Sequence, residues 1–168
     1  MDAIYIPQLT KAPQQTEVLD FNEAIPGLET LTPVQGQLRV THQGSYLEVS
    51  ANAETIVTLV CHRCLQQYNY RLSIAPSELI WLNETADLAE ALPLDRDIDL
   101  EDLVETLPPK GYFEPATWLY EQLCLELPQR QLCDQACTGI ELSGTNAPAP
   151  SIDRRWASLE SLKNQLRN

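Results

Sequence analysis

Positive charge is scarce in this chain. Its 168 residues carry 11 Lys and Arg against 24 Asp and Glu, for a net charge of −13. A surface that grips duplex nucleic acid clusters Lys and Arg and drives the pI above ~9. A field this negative instead repels phosphate at long range. Broad, sequence-independent nucleic-acid binding is therefore disfavoured, whereas a local basic patch or a basic protein partner stays compatible. Histidine numbers only two, so acid–base chemistry would fall to carboxylates, and no pair of them stands out. Glycine numbers six, and no Gly-x-Gly-x-x-Gly, Walker loop, His-Glu-x-x-His or Gly-x-Ser-x-Gly occurs. The expectation is a protein that is not an enzyme. Apolar runs such as Ile56–Val60 fall far short of the ~20 residues of a membrane span, so no membrane contact is expected. The opening Met1–Pro7 has neither the positive stretch nor the apolar core of a signal peptide. The expected location is the cytoplasm, where cysteines are not first read as disulfides.

Proline is plentiful, at twelve. Pro7, Pro13, Pro26 and Pro33 punctuate the first 33 residues and leave room for only one or two short strands there. Leu38 and Val40 then alternate with Gln37 and Arg39. After a turn at His42–Ser45, Leu47, Val49, Ala51 and Ala53 alternate with Glu48, Ser50 and Asn52. This period of two predicts a hairpin with one wet face. Thr55–Val60 reads as a more buried strand, and Tyr68, Tyr70, Leu72 and Ile74 restore the alternation, with Ser77–Leu82 extending the sheet. Residues 84–105 hold nine acidic side chains and one Arg. A solvated face is the plainest reading of that stretch, and its second half predicts a short helix over Asp99–Leu107. Asp99 would cap this helix, and Leu100, Leu103, Val104 and Leu107 would share a face. A second helix opens at Pro115, with Leu119, Tyr120, Leu123, Cys124 and Leu127 as its apolar stripe. A last helix starts near Asp153. The sum is an α+β protein: a mainly antiparallel sheet or partly closed barrel, two short helices and a C-terminal helix. Residues 1–140 form a single domain, 141–150 a linker and 151–168 the C-terminal helix.

Four of the five cysteines fall into two close pairs, Cys61/Cys64 and Cys133/Cys137. Cys-x2-Cys lets two thiolates reach one ion from a tight turn, Cys-x3-Cys is looser but workable, and zinc takes four such ligands in a tetrahedron. The pairs are separated by 68 residues, more than the ~15–20 of a zinc ribbon, and no glycine directly follows Cys64 or Cys137. Three readings stay open: one structural zinc held by Cys61, Cys64, Cys133 and Cys137; four reduced thiols without an ion; or a thiol redox or metal-carrier protein using Cys61 and Cys64. Strand alternation resumes straight after Cys64, so the helix N-terminus that activates a thioredoxin-type cysteine is missing. Cys124 lies on an apolar helical stripe and reads as a core residue. His42 reads as a solvated turn residue, and His62 as a substitute ligand at most.

The order of these pieces is itself informative. A strand enters Cys61-His62-Arg63-Cys64-Leu65, Leu125-Glu126-Leu127-Pro128 precedes the second pair, and Asp153-Arg154-Arg155-Trp156 lies near the end. Over roughly residues 15–165 the chain resembles the YceD family, the large ribosomal RNA subunit accumulation proteins of bacteria and plastids. It departs from that family's usual Asp-Pro-Arg-Trp by carrying Arg154 in the proline's place. The resemblance implies a non-enzymatic ribosome-biogenesis factor that supports accumulation of large-subunit (23S) rRNA. The acidic stretch 84–105 would attract basic ribosomal proteins, and Arg63, Arg71 and Arg130 are the candidates for direct rRNA contact.

Overall fold

Alternation between apolar and polar residues builds most of the molecule. The computed structural model describes residues 1–84 and 104–140, together with Leu159. The order of elements is β1 (Ile4–Tyr5), α1 (Ile6–Leu9), β2 (Thr16–Glu23), β3 (Val34–His42), β4 (Tyr46–Val60), β5 (Gln67–Ile74), β6 (Ser77–Leu82), β7 (Thr106–Leu107), β8 (Tyr112–Phe113) and α2 (Pro115–Glu126). The linker 141–150 and the helix from Asp153 lie outside the described residues, Leu159 apart.

The spine is β4. The expected hairpin arm and the separate buried strand after it are one continuous strand of 15 residues. Leu47, Val49, Ala51, Ala53, Thr55, Val57 and Leu59 all turn to the buried side, and the residues between them turn outward. On one edge β4 pairs with β3 through Leu47–Glu54, and β3 pairs with β2. The other edge is shared by two strands in succession, β5 against Ala53–Val60 and β6 against Tyr46–Ser50. β5 and β6 are thus one long return strand broken at Ala75–Pro76. Pro76 has no N–H to give to the ladder, and only its carbonyl is used, accepting from the Ala51 N–H at 3.1 Å. Gly36 sits opposite Ala53 where the strands press together; a Cβ there would lie 2.0 Å from the Asn52 carbonyl oxygen.

β2 and β7 end the sheet without meeting, so among the described residues the sheet is open and not a partly closed barrel. β7 is two residues long and parallel to β6, which leaves too little edge for closure. It also corrects the expected helix over Asp99–Leu107. The spacing of Val104 and Leu107 suits a helical face, but the Trp81 N–H donates to the Glu105 carbonyl at 3.0 Å and the Asn83 N–H to the Leu107 carbonyl at 2.9 Å. These carbonyls serve β6, and Thr106–Leu107 is extended. Residues 99–103 lie outside the described residues.

The buried face of the sheet is covered by α1 and α2. Proline at its first position starts α2 without loss of a hydrogen bond. Trp118, Leu119 and Leu123 are its buried side chains, together with Pro115. Trp118 was absent from the expected stripe, and Cys124 is half-buried and not a full core residue. The small β1–β8 pair ties the start of the chain to the approach of α2, with the Tyr5 and Tyr112 rings 5.0 Å apart. His42 is the last residue of β3, paired with Leu47 and half-buried, and not a solvated turn residue; its Nδ1 accepts from the Gly44 N–H in the turn that follows. Among the described residues no helix is long and apolar enough to cross a membrane.

A carboxyl pair joins β6, β7 and α2. The Glu78 Oε2 accepts from Trp118 Nε1 at 2.7 Å and from Gln122 Nε2 at 3.0 Å. Beside it the Glu105 carboxyl is pushed up to about 7, first by burial, then by the charge of Glu78 and the hydrogen bond it shares with that residue, and last by the charge of Glu121. The folded state therefore holds this proton more tightly than the unfolded chain does. That contribution to stability is complete below the ordinary value of 4.5 and is lost as pH rises toward about 7. Glu105→Gln keeps a donor for Glu78 and carries no charge. It is expected to raise the melting temperature at pH 8 and to flatten the decline between pH 5 and pH 8, measured by thermal melts; equal declines in the two proteins would refute the assignment.

Candidate metal centre

The first cysteine pair is the tip of the β4–β5 hairpin. Val60 pairs with Gln67. The Cys61 N–H then donates to the Gln66 carbonyl at 2.9 Å, and the Leu65 N–H to the Cys61 carbonyl at 3.0 Å. The loop closes only because Leu65 takes a left-handed conformation, φ 61°. Zinc knuckles commonly place glycine at this point; here a leucine occupies it, with its side chain in solvent. The second pair lies in the irregular segment after α2. Asp134 shapes its turn: the carboxylate accepts from the Ala136 N–H at 2.7 Å and the carbonyl from the Cys137 N–H at 3.1 Å. This is the local bond that makes Asp a turn residue. Gly139 follows with φ +91°, where a Cβ would meet the Arg63 carbonyl oxygen at 3.4 Å.

The fold brings both pairs together. Cys61 Sγ lies 3.9 Å from Cys137 Sγ, and Cys64 Sγ lies 3.7 Å from Cys133 Sγ. All four sulfurs lie within 4.8 Å of one another. Sulfurs ~2.3 Å from a tetrahedral ion stand ~3.8 Å apart, so the two short separations match the edges of such a coordination sphere. They are far longer than the ~2.05 Å of a disulfide. Cys61 is buried, Cys64 and Cys137 are half-buried, and Cys133 is exposed. The residues present can hold a metal ion as a closed four-thiolate set.

The electrostatics ask for a cation. Cys61 is lowered to about 5, first by the Cys64 N–H, which donates to its sulfur, and then by the Cys133 N–H; the Arg63 N–H adds to this, and burial opposes it. One thiolate is thus stabilised mainly by backbone N–H groups, with a smaller share from the Cys64 thiol. The Cys133 thiol is pushed up to about 12 by its hydrogen bonds to Cys64 and Cys61, with burial and Cys137 adding to the effect. Four sulfurs this close cannot all ionise in the absence of positive charge. Tyr68 on β5 is raised too, by burial first and by Cys61 second, and it accepts from the Leu132 N–H.

Two side chains from inside the first pair also reach the second loop. The His62 N–H donates to the Gln131 carbonyl at 2.8 Å, and the His62 Nδ1 accepts from the Gln131 N–H at 3.4 Å. The Arg63 guanidinium donates to the Cys137 carbonyl at 2.7 Å and to the Gln135 carbonyl at 3.3 Å. The three arginines of the expected RNA patch therefore have different surroundings. Arg63 is turned onto the second loop, and Arg130 adjoins the Gln131 that pairs with His62. Arg71 stands on β5, four residues from Gln67, beside Glu54 at 3.8 Å. Sequence reasoning found the four cysteines but not Leu65, Tyr68, Asp134 or Gly139. Of these, Asp134 and Gly139 had a readable turn signal.

The strain at Leu65 can be tested. Leu65→Gly is expected to leave stability unchanged or improve it. Leu65→Val is expected to cost about 1 kcal/mol, because a β-branched residue is poorly suited to positive φ. Chemical denaturation of both variants measures this, and a stabilising Val would contradict the loop geometry.

Comparison with known proteins adds one result. The family model described as large ribosomal RNA subunit accumulation protein YceD matches residues 49–163. The match starts inside β4 and spans more than half of the chain, both cysteine loops included. No curated protein and no solved structure matches. The span and position of that match assign the chain to the YceD family of large ribosomal RNA subunit accumulation proteins.

Proposed function

We propose that this protein is a non-enzymatic, cytoplasmic factor in the accumulation of large-subunit (23S) rRNA, and that its four clustered cysteines hold one structural zinc. The family match over residues 49–163 carries the first half of this reading. Charge supplies its direction. A chain with 24 acidic and 11 basic residues repels RNA and attracts the Lys- and Arg-rich extensions of ribosomal proteins, and it does so from a distance. The protein acts chiefly by contacting such a protein on the pre-ribosome. Direct rRNA contact through Arg63, Arg71 and Arg130 is the lesser route, because Arg63 is already spent on two carbonyls and Arg71 faces Glu54.

The four sulfurs carry the second half. A closed set of four thiolates has no open position for substrate, which is the mark of a structural site, and soft thiolate ligands select zinc or iron over hard cations. Bound there, the ion would neutralise the thiolates and tie the tip of the β4–β5 hairpin to the segment after α2. Most of the core lies in the sheet and α2, remote from these loops. Metal removal should therefore loosen the second loop, still held in part by His62 and Arg63, without unfolding the sheet. The lowered value of Cys61 is the one feature that favours the redox or carrier reading, and the burial of its sulfur counts against it.

Protein purified without added zinc is expected to contain about one zinc per chain by elemental analysis. Chelation should then speed, without fully releasing, hydrogen exchange across residues 128–140 while β3 and β4 stay protected. Less than a tenth of an equivalent in a folded protein would overturn the metal assignment. A tagged copy is expected to sediment with large-subunit precursors and to recover ribosomal protein together with rRNA. Recovery of rRNA that persists after all other protein is stripped away would overturn the protein-mediated route.

A further inference from the structure

The two residues between Cys61 and Cys64 do more than space the sulfurs. Cys133 and Cys137 lie on a segment with no regular secondary structure. Their loop has only local bonds of its own, the two to Asp134. It is held against the hairpin tip from outside. The His62 pairing with Gln131 fixes the entrance of the segment. Arg63 Nη1 fixes its exit, donating to the carbonyls of Gln135 and of Cys137 itself. The same residue's backbone N–H donates to Cys61 Sγ at 3.4 Å, and its carbonyl lies against Gly139. Arg63 thus touches both halves of the centre at once and offers no atom as a ligand.

From this geometry we infer that Arg63 is the positioning residue of the metal centre: its guanidinium clamps the second cysteine loop so that Cys133 and Cys137 meet Cys61 and Cys64 before an ion arrives. The inference rests on the metal reading of the four cysteines. Its physical content is preorganisation. Without the clamp, the ion must order the second loop at its own expense, and affinity falls. Removal of outer partners of metal ligands typically costs 10–100-fold in affinity. Position matters as much as charge, because both bonds leave a single nitrogen, Nη1. The rigid guanidinium holds that nitrogen's donors in a fixed plane at the end of a long side chain, whereas a lysine ammonium is a compact, strongly hydrated point charge on a flexible stem. A role limited to offsetting thiolate charge would be met by either residue.

The test is a titration of the full chain, stripped of metal, with Co2+ and then with Zn2+ in competition against a chromophoric chelator, for wild type, Arg63→Ala and Arg63→Lys. Wild type is expected to develop the thiolate-to-cobalt charge-transfer and visible bands of a tetrahedral four-sulfur site. Arg63→Ala should bind roughly 10–100-fold more weakly and reach the same band shape at saturation, because all four sulfurs remain. Arg63→Lys should not restore affinity. Melting in the presence of chelator, where no ion contributes, should be the same for all three proteins. If wild type shows no thiolate band, the metal reading itself has failed. If wild type binds and Arg63→Ala binds equally well, the positioning role is overturned. Full rescue by Arg63→Lys would overturn the clamp in favour of simple charge. A loss in Arg63→Ala that appears equally in the chelated melt, with affinity intact, would reduce Arg63 to a stabilising surface residue.

Discussion

Four sulfur atoms at near-tetrahedral spacing impose the dominant constraint on this structure. Like charges that close repel, and backbone N–H groups stabilise the charge of Cys61. The arrangement is balanced either by protons shared among the thiols or by a cation between them. Everything around the cluster serves to keep the sulfurs near one another. The long β4–β5 hairpin delivers the first pair at its tip, α2 returns the chain to the same end, and His62, Arg63 and Tyr68 fasten the two loops together. Among the described residues, the site is where the irregular segment after α2 is joined to the tip of the β4–β5 hairpin.

Much of this was legible in the sequence, for a simple reason. A sheet with one buried face writes a period of two into its strands. Leu47 to Ala53 and Tyr68 to Ile74 carry that period without interruption. The cysteines were legible because two close pairs of thiols suit one ion whatever separates them along the chain. What escaped was decided by tertiary contact. Leu100, Leu103, Val104 and Leu107 are spaced for a helix, yet the β6 edge claimed Thr106 and Leu107 as a strand. Tyr68–Ile74 and Ser77–Leu82 read as two successive segments and are one long return strand broken at Ala75–Pro76. No pattern announces that Leu65 adopts positive φ, or that the exposed Arg63 guanidinium lies across the second cysteine loop and bonds two of its carbonyls.

The two faces of the sheet divide the work between stability and contact. The inner face is aliphatic and covered by α1 and α2. The outer face is mixed: Gln35, Asn52, Thr58, Asn69 and Ser73 are exposed along it together with Val18, Val60, Leu79 and Trp81. A role as a recruiting body fits such a division, because the core can persist while the surface and the loops engage others. The acid–acid contact between Glu78 and Glu105 fits less easily. It places a proton-dependent joint where β7 meets α2, next to the acidic stretch that ends at Glu105.

The graded exposure of the four sulfurs sets the order in which the cluster can come apart. Cys61 is sealed beneath the hairpin, Cys64 and Cys137 are partly shielded, and Cys133 stands at the surface. An ion held there would leave from the outer side, where an arriving competitor first reaches Cys133, and Cys61 would be the last sulfur to let go. Thiophilic heavy ions such as cadmium or mercury would enter by the same door, displacing from the outside inward a partner still anchored at depth.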